Sequence, residues 1–355
     1  PDPTDCWSPA ESAELYRIDD WGMGFFKVGD NGHLHVKLGD EGKEIDLFDV
    51  VCGLDERGIS APVQIGFPDL LASRMNEMAS AFSNAIGENG FECSYTAVYP
   101  IKVNQHRALV KEIEIRGRQH GFGLEVGSKP ELLAVMGLTV DHPDRLIICN
   151  GFKEERYVRH ILLATKLGRR AVAVIENMNE LELILDLATQ FGVRPRIGVR
   201  LKLDALSTGR WHGSTGDKAK FGLTIPGVLK VVERLRSEDM LDCVELLHFH
   251  IGSQITSIRA HKEALREAMR VYVGLHRLGA NSLDFSRLQN TQQFHLQVLG
   301  HLSNLIEEDR AVMSQFEPSP PRAACPSEGA FFMAKQFAFQ KALGKSPAVD
   351  RDKWP

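Results

Sequence analysis

The stretch TAVYPIKVN at residues 96–104 opens a rhythm of brief apolar runs that recurs at FGLEV (122–126), RLIICN (145–150), AVAVIE (171–176), RIGVRLK (196–202) and ELLHFHI (245–251). Each run is followed by a longer segment with helical features. Apolar runs that do not alternate with polar residues fit parallel strands covered on both faces. Two of the intervening helices carry start signals. Ser128-Lys129-Pro130-Glu131 has the form of a capping box with an early proline, and Asn177 stands three residues before Glu180. Six βα units evenly spaced between about 95 and 280 predict an α/β fold, a (β/α)8 barrel of the TIM type, with a doubly wound sheet as the lesser alternative.

Outward from this core the signals weaken. Residues 1–60 are expected to form an N-terminal region with short strands, because His33 to Leu38 alternates with period two between Gly-rich turns. The barrel is assigned to 61–285. It starts with a helix after Pro68 whose apolar face carries Leu71, Met75, Met78, Phe82 and Ile86 and which ends near Gly87. After a helix at about 258–278, only Ser282 to Phe285 resembles the start of a strand. The barrel is therefore expected to be incomplete at its C-terminal end. Residues 286–355 read as a divergent tail, with a helix at about 296–315 before the turn-rich FEPSPPRAACPSEG.

The chain of 355 residues is long enough for a sizeable core, and 42 basic against 47 acidic residues leave a net charge of -5. That balance gives no support for nucleic-acid binding. The six cysteines include no CxxC pair, which leaves a structural zinc site or redox pair without support. No apolar stretch approaches the length of a bilayer, so a soluble, cytoplasmic protein with reduced thiols is expected.

Candidate chemistry gathers where the apolar runs end. On a barrel, Lys102 in YPIKVNQ falls at the C-terminal mouth of a strand. A partly desolvated amine there could form an imine with an aldehyde cofactor; the alternative is a solvated strand-end lysine. His250 and Ser253 in HFHIGSQ could stack on a planar ring and hold an anion, or be a core histidine and a turn serine. His248 would share the facing of His250. Glu125 and Arg200 end their runs on the same rim, as an orienting carboxylate and an anion-binding fork or as ordinary ion-pair members. Lys220-Phe221-Gly222 follows a Gly/Ser/Thr-rich stretch that fits an active-site loop or a surface excursion, and it lacks the Walker A spacing.

The order of these segments resembles the biosynthetic arginine decarboxylase family, of the alanine-racemase-like fold (group IV decarboxylases). The resemblance is carried by WSPAESAELYRIDDWG near the start, YPIKVNQ at 99–105, GLEVGSKPELL at 123–133, ICNGFK at 148–153, RPRIGVRLK at 194–202, GDKAKFGL at 216–223 and LLHFHIGSQI at 246–255, and covers about residues 7–280. It implies a pyridoxal 5′-phosphate cofactor bound by Lys102. Glu125 would support the lysine and ring, Arg200 would lie on the cofactor side, His250 would stack on the pyridine face and Ser253 would meet the phosphate. It further implies decarboxylation of L-arginine to agmatine and carbon dioxide, feeding polyamine and spermidine synthesis, with homo-oligomers and Mg2+ whose ligands the sequence does not specify. The likeness stops after Leu283-Asp284, before the family's glycine-rich phosphate loop, so no residue is matched to that turn or to later family positions. A catalytically impaired or regulatory homologue that binds a full-length decarboxylase is the alternative.

Overall fold

The computed structural model describes residues 7–38, 42–91, 93–203, 221–252 and 257–280. The expectations for Ser282 to Phe285, for the helix at 296–315 and for the tail fall on residues outside those described, as do most of the loop before Phe221, Lys220 included, and Ser253.

Near the N-terminus, α1 (Pro9–Leu15) and α2 (Ile18–Gly22) lead into β1 (Phe26–Val28), β2 (Leu34–Leu38) and β3 (Lys43–Asp46), a three-stranded antiparallel sheet in that order. The period-two expectation for 33–38 corresponds to β2, whose Val36 is fully buried. The sharp turn between β1 and β2 uses Gly32 at φ 78°, a conformation open to glycine without strain. α3 (Leu47–Asp55) starts where the Asp46 carboxylate accepts from the Phe48 and Asp49 N–H groups. α4 (Pro68–Glu88) is the helix expected after Pro68, with Met75, Ala79 and Ala85 buried while Met78 is exposed. Its inward stripe is therefore rotated from the one drawn through Met78.

The rest alternates strand and helix: β4 (Val98–Pro100), α5 (Arg107–Arg116), β5 (Gly123–Val126), α6 (Lys129–Leu138), β6 (Leu146–Cys149), α7 (Glu155–Lys166), β7 (Arg170–Ile175), α8 (Met178–Phe191), β8 (Ile197–Leu201), α9 (Ile225–Ser237), β9 (Val244–Phe249) and α10 (Ile258–Arg277). All six strands are parallel and pair strictly in chain order from β4 to β9. A doubly wound sheet reverses direction at a switch point, whereas sequential order is how a barrel is laid down. The two further strands of an eight-stranded barrel would fall beyond residue 280, outside the described residues.

Residue parity divides the strands into two faces. Leu124, Val126, Ile147, Cys149, Ala171, Ala173, Ile175, Ile197, Val199 and Leu201 join one core with helix residues such as Leu132, Ile161, Leu181 and Val231. Ile148, Val172 and Val174 form a second cluster with Val98, Leu146 and Leu246, drawn from strands alone. That second face is the barrel interior. Gly198 belongs to it, since an added Cβ would meet Val174 and Leu246. Every second residue toward the C-terminal ends, namely Glu125, Asn150, Glu176, Arg200, His248 and His250, continues this inner face.

At the opposite end of the strands, buried Arg145 donates to the Phe122 and Glu114 carbonyls and pairs with the Glu114 carboxylate, which also receives Arg118. The guanidinium closes the bottom of the sheet against α5.

Two strand exits are pressed together at the mouth. The Asn150 N–H donates to the Val126 carbonyl at 2.8 Å. Gly151 follows at φ 78°, where a Cβ would overlap the Gly127 carbonyl oxygen. Gly168 has a similar φ of 80° with open space around it. Gly168→Ala should therefore cost about 1–2 kcal/mol, for the left-handed backbone alone. Gly151→Ala should cost a further ~1–3 kcal/mol for the overlap, read by denaturant unfolding; equal losses would show that the two exits are not tightly packed.

Candidate active site at the barrel mouth

The strands end in a sequence-encoded change from apolar to polar, so the inner face becomes a polar ring at one end only. Lys102 lies in a one-turn 3-10 segment just past β4, and its Nζ is 3.5 Å from Oε1 of Glu125 on β5. Asn150 follows β6 and Glu176 follows β7. Arg200 on β8 pairs in register with His248 on β9, and His250 follows β9. Nη1 of Arg200 donates to Oε1 of Glu176 at 2.5 Å, and the guanidinium lies 5.8 Å from the centre of the Phe221 ring. Phe221 is held there because Leu223 and the chain around Arg200 exchange backbone hydrogen bonds.

A belt of side chains fixes the loops that carry these groups. Gln105 donates to Glu131, whose other oxygen accepts from the Gly127 N–H at 2.6 Å. Gly127 touches Gly151, and the Gly151 carbonyl accepts from Nζ of Lys153 at 2.7 Å. The Lys153 N–H donates to Glu180, which also accepts the Glu176 N–H; Glu176 in turn holds Arg200. The belt departs from the capping box expected at Ser128: the Ser128 side chain makes no cap bond, and the Glu131 carboxylate that would complete the box is turned to Gly127 and Gln105 instead. The Asn177 cap does form, its side chain accepting from the Glu180 N–H at 3.0 Å.

Burial and the nearby cations act in the same direction on the histidines. Burial, then Arg200, His250, Lys153 and Lys102, push His248 down to about 3. The protein packed around part of His250, then Arg200 and Lys102, also hold its pKa below the ordinary imidazole value. Both rings are therefore neutral near pH 7. Burial likewise lowers Lys153, against the opposing pull of Glu180 and Glu176.

Lys102, Glu125, Arg200 and His250 thus share one end of the barrel, while Ser253 lies outside the described residues. One expectation is corrected: the Lys102 side chain is 64% exposed, so the described residues leave its amine in solvent rather than partly desolvated. Glu176, Asn150 and Lys153 were not singled out from sequence. Their signal is positional, for Asn150 and Glu176 are the first polar residues after RLIIC and AVAVI, as Lys102 is after its own run. At the mouth no cluster of metal-binding groups occurs among the described residues; His33, Asp46 and Asp49 on the N-terminal sheet and α3 come within 4.8 Å of one another. Asp46 is already committed there to His33, Asn31 and the cap of α3.

Fold and mouth together define a barrel that presents one solvent-accessible amine beside a carboxylate, an arginine and neutral imidazoles. Residues 71–285 match the pyridoxal binding domain of the pyridoxal-dependent decarboxylases, and the chain belongs to that family. Within it, the chain is a homologue of biosynthetic arginine decarboxylases. It is 47% identical over 275 residues to the enzyme of that name from Phocaeicola vulgatus, covering 78% of this chain and 44% of that protein. It is 48% identical to the one from Gloeobacter violaceus, covering 77% and 42%. The crystal structure of the biosynthetic arginine decarboxylase from Campylobacter jejuni superposes with a TM-score of 0.68 at 30% identity, covering 84% of this chain and 50% of that one. Diaminopimelate decarboxylase from M. jannaschii, at 22% identity and a TM-score of 0.55, shares the fold. The chain therefore spans less than half the length of these curated relatives. No helix among the described residues is long and apolar enough to cross a membrane.

The depressed pKa of His248 makes stability pH-dependent with a defined sign. Between its ordinary 6.5 and about 3, the unfolded chain takes up a proton that the folded ring does not. Stability should fall as pH drops through that window. His248→Gln removes this term, so its stability relative to wild type should rise steadily from pH 6.5 downward in chemical unfolding; parallel pH curves would show that the ring is not held neutral.

Proposed function

We propose that the mouth binds pyridoxal 5′-phosphate through Lys102 and serves decarboxylation of L-arginine to agmatine and carbon dioxide, a step toward polyamines. The observation that carries this reading is the convergence of Lys102, Glu125, Arg200 and His250 on one end of the barrel interior, with Lys102 paired to Glu125. The 44–48% identity to arginine decarboxylases supports arginine as the substrate class.

The residues suit the cofactor. An exposed amine can reach an aldehyde, and polar atoms of Asn150 and His248 that have no partner among the described residues leave hydrogen-bonding capacity at the site. Pyridoxal phosphate, when bound, supplies an aldehyde that joins amines and a conjugated ring that takes up the electron pair left when a carboxylate departs. Lys102 would hold that aldehyde. Glu125, 3.5 Å from the Lys102 amine, would orient that amine at the mouth. The neutral imidazole of His250 can lie flat on an aromatic ring without placing a second positive charge beside it. Arg200, oriented by Glu176, directs a fixed fork into the mouth, where it favours an anionic group such as a carboxylate or phenolate. Ser253 is proposed for the phosphate on resemblance alone. Mg2+, a homo-oligomeric assembly and a cytoplasmic setting belong to the same reading and rest on family likeness.

The purified chain incubated with pyridoxal phosphate should gain a visible absorbance band that borohydride removes, leaving a reduced adduct that peptide mapping places on Lys102. Lys102→Ala should lose the adduct and keep the unfolding transition. An adduct on another lysine, Lys153 included, would overturn the assignment. Carbon dioxide released from labelled arginine, and not from ornithine or diaminopimelate, should accompany it. Cofactor uptake without release, together with a changed turnover of a co-purified full-length decarboxylase, would instead favour the regulatory reading.

A further inference from the structure

Asn150 is 7% exposed, yet its Oδ1 has no hydrogen-bond partner among the described residues. His248 Nδ1 is likewise buried and without a partner among them. An unmet buried acceptor is destabilising and uncommon in a folded protein. Both residues lie on the inner face, in line with Ile148 on β6 and with Leu246 on β9, so both side chains belong to the barrel lumen beneath the mouth.

Asn150 cannot easily turn away to find a partner. Its N–H is held by the Val126 carbonyl, and the next residue is pressed against Gly127 and tied to the Lys153 ammonium. Lys153 is itself fixed through Glu180. Buried acceptors held so firmly by the surrounding backbone are features of binding sites, where unmet capacity is satisfied by the ligand. The neighbours narrow the chemistry. Glu125 and Glu176 on the flanking strands are already engaged by Lys102 and Arg200, which leaves Asn150 as the neutral acceptor between them.

We propose that Asn150 Oδ1 accepts a hydrogen bond from an N–H or O–H group of the molecule bound at the mouth, carried either by the pyridoxal group or by the amine joined to it. This inference rests on the function proposed above. It gives the mouth a neutral acceptor that recognises a donor without holding a cation, alongside the ion pairs on either side of it. His248, whose ring stays unprotonated across the physiological range, adds a second neutral polar site at Nδ1 that donates or accepts according to its tautomer.

The test is Asn150→Leu in the full chain, close to isosteric and without the orphaned oxygen. The unliganded variant should melt higher than wild type, since a buried unmet acceptor is removed. Its affinity for pyridoxal phosphate, followed by fluorescence quenching, should fall by about tenfold if the donor is on the cofactor. If the donor is on the amine, cofactor affinity holds and the concentration of L-arginine needed to change the spectrum of the loaded protein rises by a similar factor. Both affinities unchanged, with the melting temperature raised or lowered, would overturn the proposal. Should the leucine variant fail to fold, Asn150→Ala removes the acceptor without adding charge: loss of either affinity beyond about threefold supports the role, and both affinities within about threefold of wild type overturn it. Wild type that takes up no pyridoxal phosphate would sink the parent reading and this one with it. Wild type that binds it while Asn150→Leu binds both ligands equally well would sink this inference alone.

Discussion

Two carboxylates buried just past β7 set the geometry of the mouth. Glu180 is 4% exposed and accepts from the backbone of two different loops, at Lys153 and at Glu176. A buried carboxylate left short of donors is costly, so each of these N–H groups is held where the charge needs it. Because one of them belongs to Glu176, satisfying Glu180 also orients the carboxylate that aims Arg200. The loop after β6, the loop after β7 and the guanidinium on β8 are therefore a single electrostatic unit rather than three separate placements. Through Lys153 and Gly151 the unit extends to Gly127 and Glu131. The asparagine between these points inherits its rigidity from them.

The charge layout follows from that unit. Lys102 pairs with Glu125 and Arg200 with Glu176, which leaves Lys153 as a buried cation shared among neighbouring acids. His248 on β9 and His250 just past it sit where further positive charge is unwelcome, and they stay unprotonated near neutral pH. The charged groups of the mouth are thus mutually paired, and beside them stand uncharged imidazole rings. Protonated histidines would have added charge but lost a flat, neutral face for stacking. Burial is the larger cause at both rings, so their neutrality depends first on packing and only then on the neighbouring cations.

Much of this was legible in the sequence because parallel strands announce themselves as uninterrupted apolar runs and because the residue that ends each run faces the mouth. Glu125, Arg200 and His250 were found by that rule, and Glu176 obeys it equally. It was passed over because a lone glutamate at a strand end gives no hint that an arginine on the next strand will meet it. Ser128 shows the converse. Its sequence matches a capping box, yet Glu131 finds stronger partners in Gly127 and Gln105, and the local rule yields to a tertiary one. The exposure of Lys102 was not readable either, since it depends on what covers the mouth rather than on the strand that carries the lysine. Asn150 escaped notice for a different reason: an asparagine after a strand suggests a turn, and only its oxygen's lack of a partner among the described residues sets it apart.

The curvature that turns these strand ends into a site can be argued from the packing of the inner face. Neighbouring strands lie about 4.8 Å apart, so strands two steps distant, such as β4 and β6 or β7 and β9, would be separated by ~10 Å if the sheet were flat. Side chains that stand perpendicular to a flat sheet do not meet across that span, since apolar contact needs heavy atoms within about 4.5 Å. Yet Val98 on β4 and Leu246 on β9 both pack against the cluster formed by Ile148 on β6 with Val172 and Val174 on β7. The sheet therefore curls toward its inner face, where Gly123 and Gly198 leave room for these side chains, and the same curl tilts the polar residues that continue that face toward one another.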